Sequence, residues 1–165
     1  MMSLVLGPNG SGKSAIAEQL VRDAAQDHPT GVMVYLATLV PADEDGHARV
    51  AKHRKMREGH DFLTVESPLA DMGEVKADVI LLEDVSNLLA NFTFSDQHPD
   101  PVTATLEQVD HLRQACIHLI AVTIGGLTVE SDFDGPTIVY IDALSQVNSR
   151  LILLADRVID TREGT

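Results

Sequence analysis

Six short apolar runs divide the chain, and the segments between them alternate between helical spacing and polar sequence. Residues 2–6 are almost all apolar and predict a buried strand, and from 13 to about 26 Ile16, Leu20 and Ala24 recur on one helical face. VMVYLATLV at 32–40 is a nearly unbroken apolar run, the pattern of a strand covered on both faces of a parallel sheet. The polar stretch DEDGHARVAKHRKMREG predicts a helix or helical loop, and FLTVESP a short strand after it. DVILLEDV at 78–85 predicts another buried strand. NFTFSDQHPDPVT at 91–103 is poor in hydrophobic residues and carries Pro99 and Pro101, so it predicts a flexible loop. Beyond it Leu106, Val109, Leu112 and Cys116 keep helical spacing into the run LIAVTIG. After the turn signal DFDGP, Ile138, Ile141, Leu144, Val147, Leu151 and Leu154 trace a long helix, and DRVIDT can close the sheet.

Strands alternating with helices predict an α/β fold: one domain over 1–165, a mainly parallel sheet with helices on both faces, joined by right-handed crossovers. A chain of 165 residues, 44% hydrophobic and 22% charged, can bury a core of its own, and no apolar run reaches membrane-spanning length. The first residues lack a charged and then apolar leader, and Cys116 is the only cysteine, which together predict a reducing, cytoplasmic setting. Cys116 itself is expected to be a buried structural thiol. A net charge of −13 argues against a nucleic-acid partner, because such proteins need a basic face. The cations are concentrated, however: Arg49, Lys52, Arg54, Lys55 and Arg57 account for five of the twelve basic residues, and His47, His53 and His60 lie among or beside them. Such a cluster in an acidic protein suits an anion, although a solvated helix face would give the same pattern.

The anion is indicated by GPNGSGKS at 7–14, which has the spacing G-x-x-x-x-G-K-[ST] between a predicted strand and a predicted helix. Gly7, Pro8, Asn9, Gly10, Ser11 and Gly12 would turn the backbone so that its N–H groups face phosphate oxygens. Lys13 would bring a cation to the outer phosphates, and Ser14 a hydroxyl to Mg²⁺ at the positive end of the helix. A second acidic group at a neighbouring strand end usually completes such a site. VILLED supplies Glu83 and Asp84; Glu83 is preferred, with Asp84 as the substitute. No LSGGQ-like signature and no N-K-x-D motif appears, which disfavours ABC-type ATPases and regulatory GTPases and leaves the base of the nucleotide open.

In a helix, Arg49, His53 and Arg57 would share one side. Cations around His53 favour its neutral imidazole, a nucleophile that could attack phosphorus, although spacing alone favours a surface histidine with no role. The spacing of His47, His53 and His60 lacks the cysteine or carboxylate pattern of a metal site.

Taken in order, the phosphate loop, YLAT at 35–38, RVAKHRKMRE at 49–58, TVESP at 64–68, ILLED at 80–84 and ALSQVNSRLILLADRVI near the end resemble the bifunctional adenosylcobinamide kinase/adenosylcobinamide-phosphate guanylyltransferase family of cobalamin assembly. The resemblance implies a P-loop NTPase domain that phosphorylates adenosylcobinamide and transfers GMP from GTP through a guanylylated histidine, matched here by His53. It further implies nucleotide contacts at Gly7 to Ser14, Ala37, Thr38, Arg54, Arg57, Glu66 and Glu83, with Mg²⁺ near Ser14 and Glu83. GTP, with ATP as a further donor, and a corrinoid acceptor would be its small-molecule partners, and a homo-oligomer, a trimer, its assembly. The chain departs from the family pattern at Glu58, Phe62 and Asp84, and above all in VTIGGLTVESDFDGP at 122–136, where the family has V-T-N-E-V-G. Two further readings are a divergent P-loop kinase or NTPase acting on another small molecule, and a nucleotide-binding protein without turnover.

Overall fold

The computed structural model describes residues 1–29, 31–39, 47–48 and 62–163. Six strands build one sheet: β1 (Met2–Gly7), β2 (Met33–Ala37), β3 (Phe62–Glu66), β4 (Val79–Glu83), β5 (His118–Ile124) and β6 (Arg157–Asp160). Their spatial order is β3-β2-β4-β5-β1-β6, and every pairing is parallel. Among the described residues four α-helices are placed after strands or loops: α1 (Lys13–Gln26), α2 (Val85–Ala90), α3 (Pro101–Gln114) and α4 (Gly135–Leu154).

Successive side chains of a strand point to opposite faces, so a strand covered on both sides is apolar at nearly every position. Leu4, Leu36, Leu82 and Leu119 meet Leu88 of α2, Val109 of α3 and Val147 of α4 on one face. Val5, Tyr35, Leu81 and Val122 meet Ala17 and Val21 of α1 on the other. The edge strands β3 and β6 are only partly covered, and about half of their residues are polar.

Two expectations change. The stretch at 91–103 is mostly helical: Asn91–Ser95 forms a π-helical turn that continues α2, and Pro101 opens α3. Proline suits the first helical position because its missing N–H would have no partner there, and its fixed φ is already helical. Asp100 completes the start by accepting from the Thr103 N–H at 3.1 Å. The buried face of α1 is also rotated, with Ala17, Val21 and Ala24 fully inside and Ile16 and Leu20 partly covered. No helix among the described residues is long and apolar enough to cross a membrane.

Candidate nucleotide-binding site

The register of the sheet brings its carboxyl ends together. Gly7 pairs with Ile124, Glu83 with Val122, and Ala37 with both Glu66 and Glu83. The predicted site residues that are described therefore share one edge of the sheet, where open parallel sheets bind ligands. His53, Arg54 and Arg57 lie outside the described residues.

The loop between β1 and α1 needs its glycines for different reasons. Gly10 and Gly12 have φ of 76° and 87°, a left-handed backbone that favours glycine, and a Cβ on either would meet nothing within 4 Å. Gly7 is fixed by close approach instead, since a Cβ there would lie 1.7 Å from Thr161 Oγ1. Asp84, Asp100 and Asp134 cap the other three helices with their side chains, whereas α1 starts at Gly12 with no side-chain cap. Its first N–H groups are thus unclaimed by any side-chain cap, at the end of the helix where anions are stabilised. Lys13 folds back over this loop and donates to the Pro8 carbonyl at 3.1 Å. Burial pushes its ammonium below the ordinary lysine range, while the charges of Asp84 and Glu83 pull it back up.

The two adjacent carboxylates at the end of β4 part company. Glu83, 6% exposed, accepts from the Ser14 hydroxyl at Oε1 and from the Tyr35 hydroxyl, 2.9 Å away, at Oε2. Asp84 turns instead into α2, where it accepts from the Asn87 N–H and the Ser86 hydroxyl, both at 2.7 Å. Burial pushes the Asp84 carboxyl above the ordinary range against those hydrogen bonds. Only Glu83 of the pair is hydrogen-bonded to Ser14. A hydroxyl beside a carboxylate is an oxygen donor set that suits Mg²⁺, which takes few protein ligands and completes its shell with water and phosphate. No group of three His, Cys, Asp or Glu is gathered among the described residues.

Thr38 and Glu66 are placed differently. Thr38 is fully buried; its hydroxyl accepts from the Asp84 N–H at 3.0 Å and sits 3.0 Å from the Asp84 carbonyl, so it braces the end of β4. Asn91 adds a second brace, donating to the carbonyls of Thr38 and Pro68 at 2.8 Å. Glu66 ends the edge strand β3 and is exposed. Sequence reading missed Tyr35, Asn91 and Thr161. Tyr35 stands inside YLAT, where its hydroxyl and that of Thr38 are the polar side-chain atoms of an apolar run; the others carry no local signal.

The family model for CobU, cobinamide kinase / cobinamide phosphate guanyltransferase, matches residues 3–165. The bifunctional adenosylcobalamin biosynthesis protein CobU of Escherichia coli K12 is 35% identical over 108 residues, 61% of this chain and 56% of the relative. Its counterpart in Salmonella typhimurium LT2 is 34% identical over 100 residues, 58% of this chain and 51% of the relative. The matched part thus spans about half the length of these curated relatives. Among solved structures, a KaiC-like protein of Pyrococcus horikoshii OT3 is similar with TM-score 0.48 and 13% identity, covering 75% of this chain and 61% of that one. The flagellar accessory protein FlaH of Methanocaldococcus jannaschii gives 0.45 and 14%, covering 96% and 70%.

Proposed function

The chain belongs to the CobU cobinamide kinase / cobinamide phosphate guanyltransferase family, and from that premise we propose that it phosphorylates adenosylcobinamide and then transfers GMP from GTP to the product through His53. The observation that carries the reading is the hydrogen bond joining Ser14, behind the phosphate loop, to Glu83 at the end of β4. It puts a hydroxyl, a carboxylate and the Lys13 ammonium at one strand edge, the parts phosphoryl chemistry uses to hold a triphosphate.

In the first step the acceptor hydroxyl would attack the γ-phosphorus of ATP or GTP, forming a P–O bond as the nucleoside diphosphate departs. In the second, an imidazole nitrogen of His53 would attack the α-phosphorus of GTP; a P–N bond forms, the bond to pyrophosphate breaks, and the ring gives up its proton. The phosphate of the acceptor then attacks the same phosphorus and releases His53. Lys13 and the loop N–H groups would hold the phosphates, with Ala37, Arg54, Arg57 and Glu66 as further nucleotide contacts. Mg²⁺ bound at Ser14 and Glu83, largely through water, would supply charge neutralisation on the phosphates. Assembly as a homo-oligomer, a trimer, belongs to the same reading, and Val139 and Leu153 of α4, 65% and 87% exposed, suit burial between copies.

Incubation with α-labelled GTP and Mg²⁺ tests the proposal. Acid-labile, base-stable label on the chain, absent in His53→Ala, is the expected result; label that persists without His53 overturns the histidine step. A second reading, a P-loop kinase or NTPase with another acceptor, is favoured by the end of β5. That strand lies between β1 and β4 and ends at Ile124, with Gly125 and Gly126 after it, so residues 124–126 offer no polar side chain there. Release of γ-phosphate to a non-corrinoid acceptor would support it, and bound nucleotide without turnover would point to a binding protein.

A further inference from the structure

The turn after β6 reaches across the sheet edge to the phosphate loop, a contact that no part of the nucleotide chemistry above requires. β6 pairs with β1 in a register that sets Asp160 beside Leu6, so the next residue, Thr161, emerges beside the first residue of the loop. Its hydroxyl donates to Ser11 Oγ at 2.8 Å and lies 3.3 Å from the Leu6 carbonyl. The same oxygen occupies the space a Cβ on Gly7 would need, and Ser11 Oγ lies 3.0 Å from that position. Arg162 follows and packs over Gly126 in the segment after β5, with its guanidinium held by Asp160 at 2.9 Å.

We propose that Thr161 is a positioning residue for the phosphate loop: its hydroxyl latches Ser11 and holds the loop's backbone N–H groups pre-aligned for a polyphosphate. The physical ground is that Gly10 and Gly12 carry no side chain, and the space where a Cβ would stand on either is open to 4 Å, so no packing of their own side chains holds the turn. A glycine-rich loop loses more conformational freedom on ordering than any other, so an external tether reduces what the ligand must supply. The latch comes from a strand added to the far side of β1, which ties loop order to docking of the chain's final strand. This inference rests on the reading of residues 7–14 as a phosphate site.

The test uses Thr161→Val, which keeps the shape and removes the hydroxyl, Thr161→Ser, which restores it, and Ser11→Ala, which cuts the bond from the other end. Binding of GTP and of inorganic pyrophosphate is measured by calorimetry, and amide exchange of residues 8–12 in the free protein by mass spectrometry. Loss of one hydrogen bond predicts roughly fivefold weaker binding of both ligands for Thr161→Val, recovery to within about twofold for Thr161→Ser, and no further loss when Ser11→Ala is added. Exchange of the loop amides is expected to quicken in Thr161→Val and Ser11→Ala alike, with the urea midpoint little changed. Independent effects of the two substitutions, or unchanged loop exchange, would overturn the latch. If the unaltered protein binds neither GTP nor pyrophosphate, the phosphate reading fails, and the latch still stands or falls on the exchange result.

Discussion

Replacing Glu83 with Gln removes one negative charge from the mouth of the phosphate loop while keeping the length of the side chain. In the folded chain this carboxylate accepts from Ser14 and Tyr35. Hydrogen bonds to a charged acceptor contribute about 1.5–3 kcal/mol and neutral ones about 0.5–1.5, so two weakened bonds cost about 2 kcal/mol. Part of that is offset, because a buried charge no longer has to be desolvated. Glu83→Gln is therefore expected to fold almost normally but to lose Mg²⁺-dependent nucleotide turnover by about two to three orders of magnitude, the scale of losing one preorganised electrostatic partner. The neighbouring carboxylate gives the opposite result. Asp84→Asn retains the acceptor for the Asn87 N–H and should keep turnover, since Asn and Asp cap helices equally well. Asp84→Ala loses the cap, about 1 kcal/mol, and orphans the Ser86 hydroxyl, about 1–3 kcal/mol. At about 2–4 °C per kcal/mol for a chain of this size, Asp84→Ala should melt about 5–15 °C lower with its Mg²⁺ dependence intact. Calorimetric melting and Mg²⁺ titration of turnover, run on all three variants, decide the matter. If Asp84→Asn loses the metal dependence and Glu83→Gln keeps it, the division of labour argued from the structure is wrong.

Burial raises the Asp84 carboxyl above its ordinary value of 3.8. Its favourable contribution to stability is thus complete at lower pH and is lost as pH climbs through the raised pKa. Relative to Asp84→Asn, the unaltered protein should lose stability as pH climbs above the ordinary carboxyl value of 3.8; parallel pH-stability curves in urea would refute this. Burial likewise pushes the Cys116 thiol up to about 11, so alkylation by iodoacetamide should be slow at neutral pH and gain about tenfold per pH unit towards that value. A fast reaction at pH 7 would contradict the burial. Asn148 ties α4 to the end of β5, standing 2.8 Å from the Thr123 hydroxyl and donating to the Ile124 carbonyl at 2.9 Å. Asn148→Leu strands both groups and should lower unfolding free energy by about 1–3 kcal/mol in urea titration, and an unchanged midpoint would show that water replaces the amide without loss.

What was legible in the sequence is what depends on neighbours along the chain. Mainly apolar runs marked β1, β2, β4 and β5 because coverage on both faces leaves few positions for a polar residue. The phosphate loop was legible because its glycines, lysine and serine act through one local turn and one helix start. Pro101 misled for a related reason: proline breaks a helix from inside and begins one at its first position, and only the docking of α3 on the sheet settles which applies.

The remaining features depend on residues far apart in sequence, and there tertiary structure decided. The sequence ended β4 in two carboxylates and could prefer Glu83 but not separate their surroundings; packing gave Glu83 to Ser14, 69 residues away, and Asp84 to the cap of α2. Strand order placed β5 between the phosphate loop and Glu83, which makes Ile124 and Gly125 part of the site's setting. Thr161 meets Ser11 across 150 residues, a juxtaposition that exists only because β6 adds to the outer side of β1. Periodicity along a chain reports which face of an element is buried; it carries no record of which elements become neighbours, because that choice is made by the summed packing of the whole sheet.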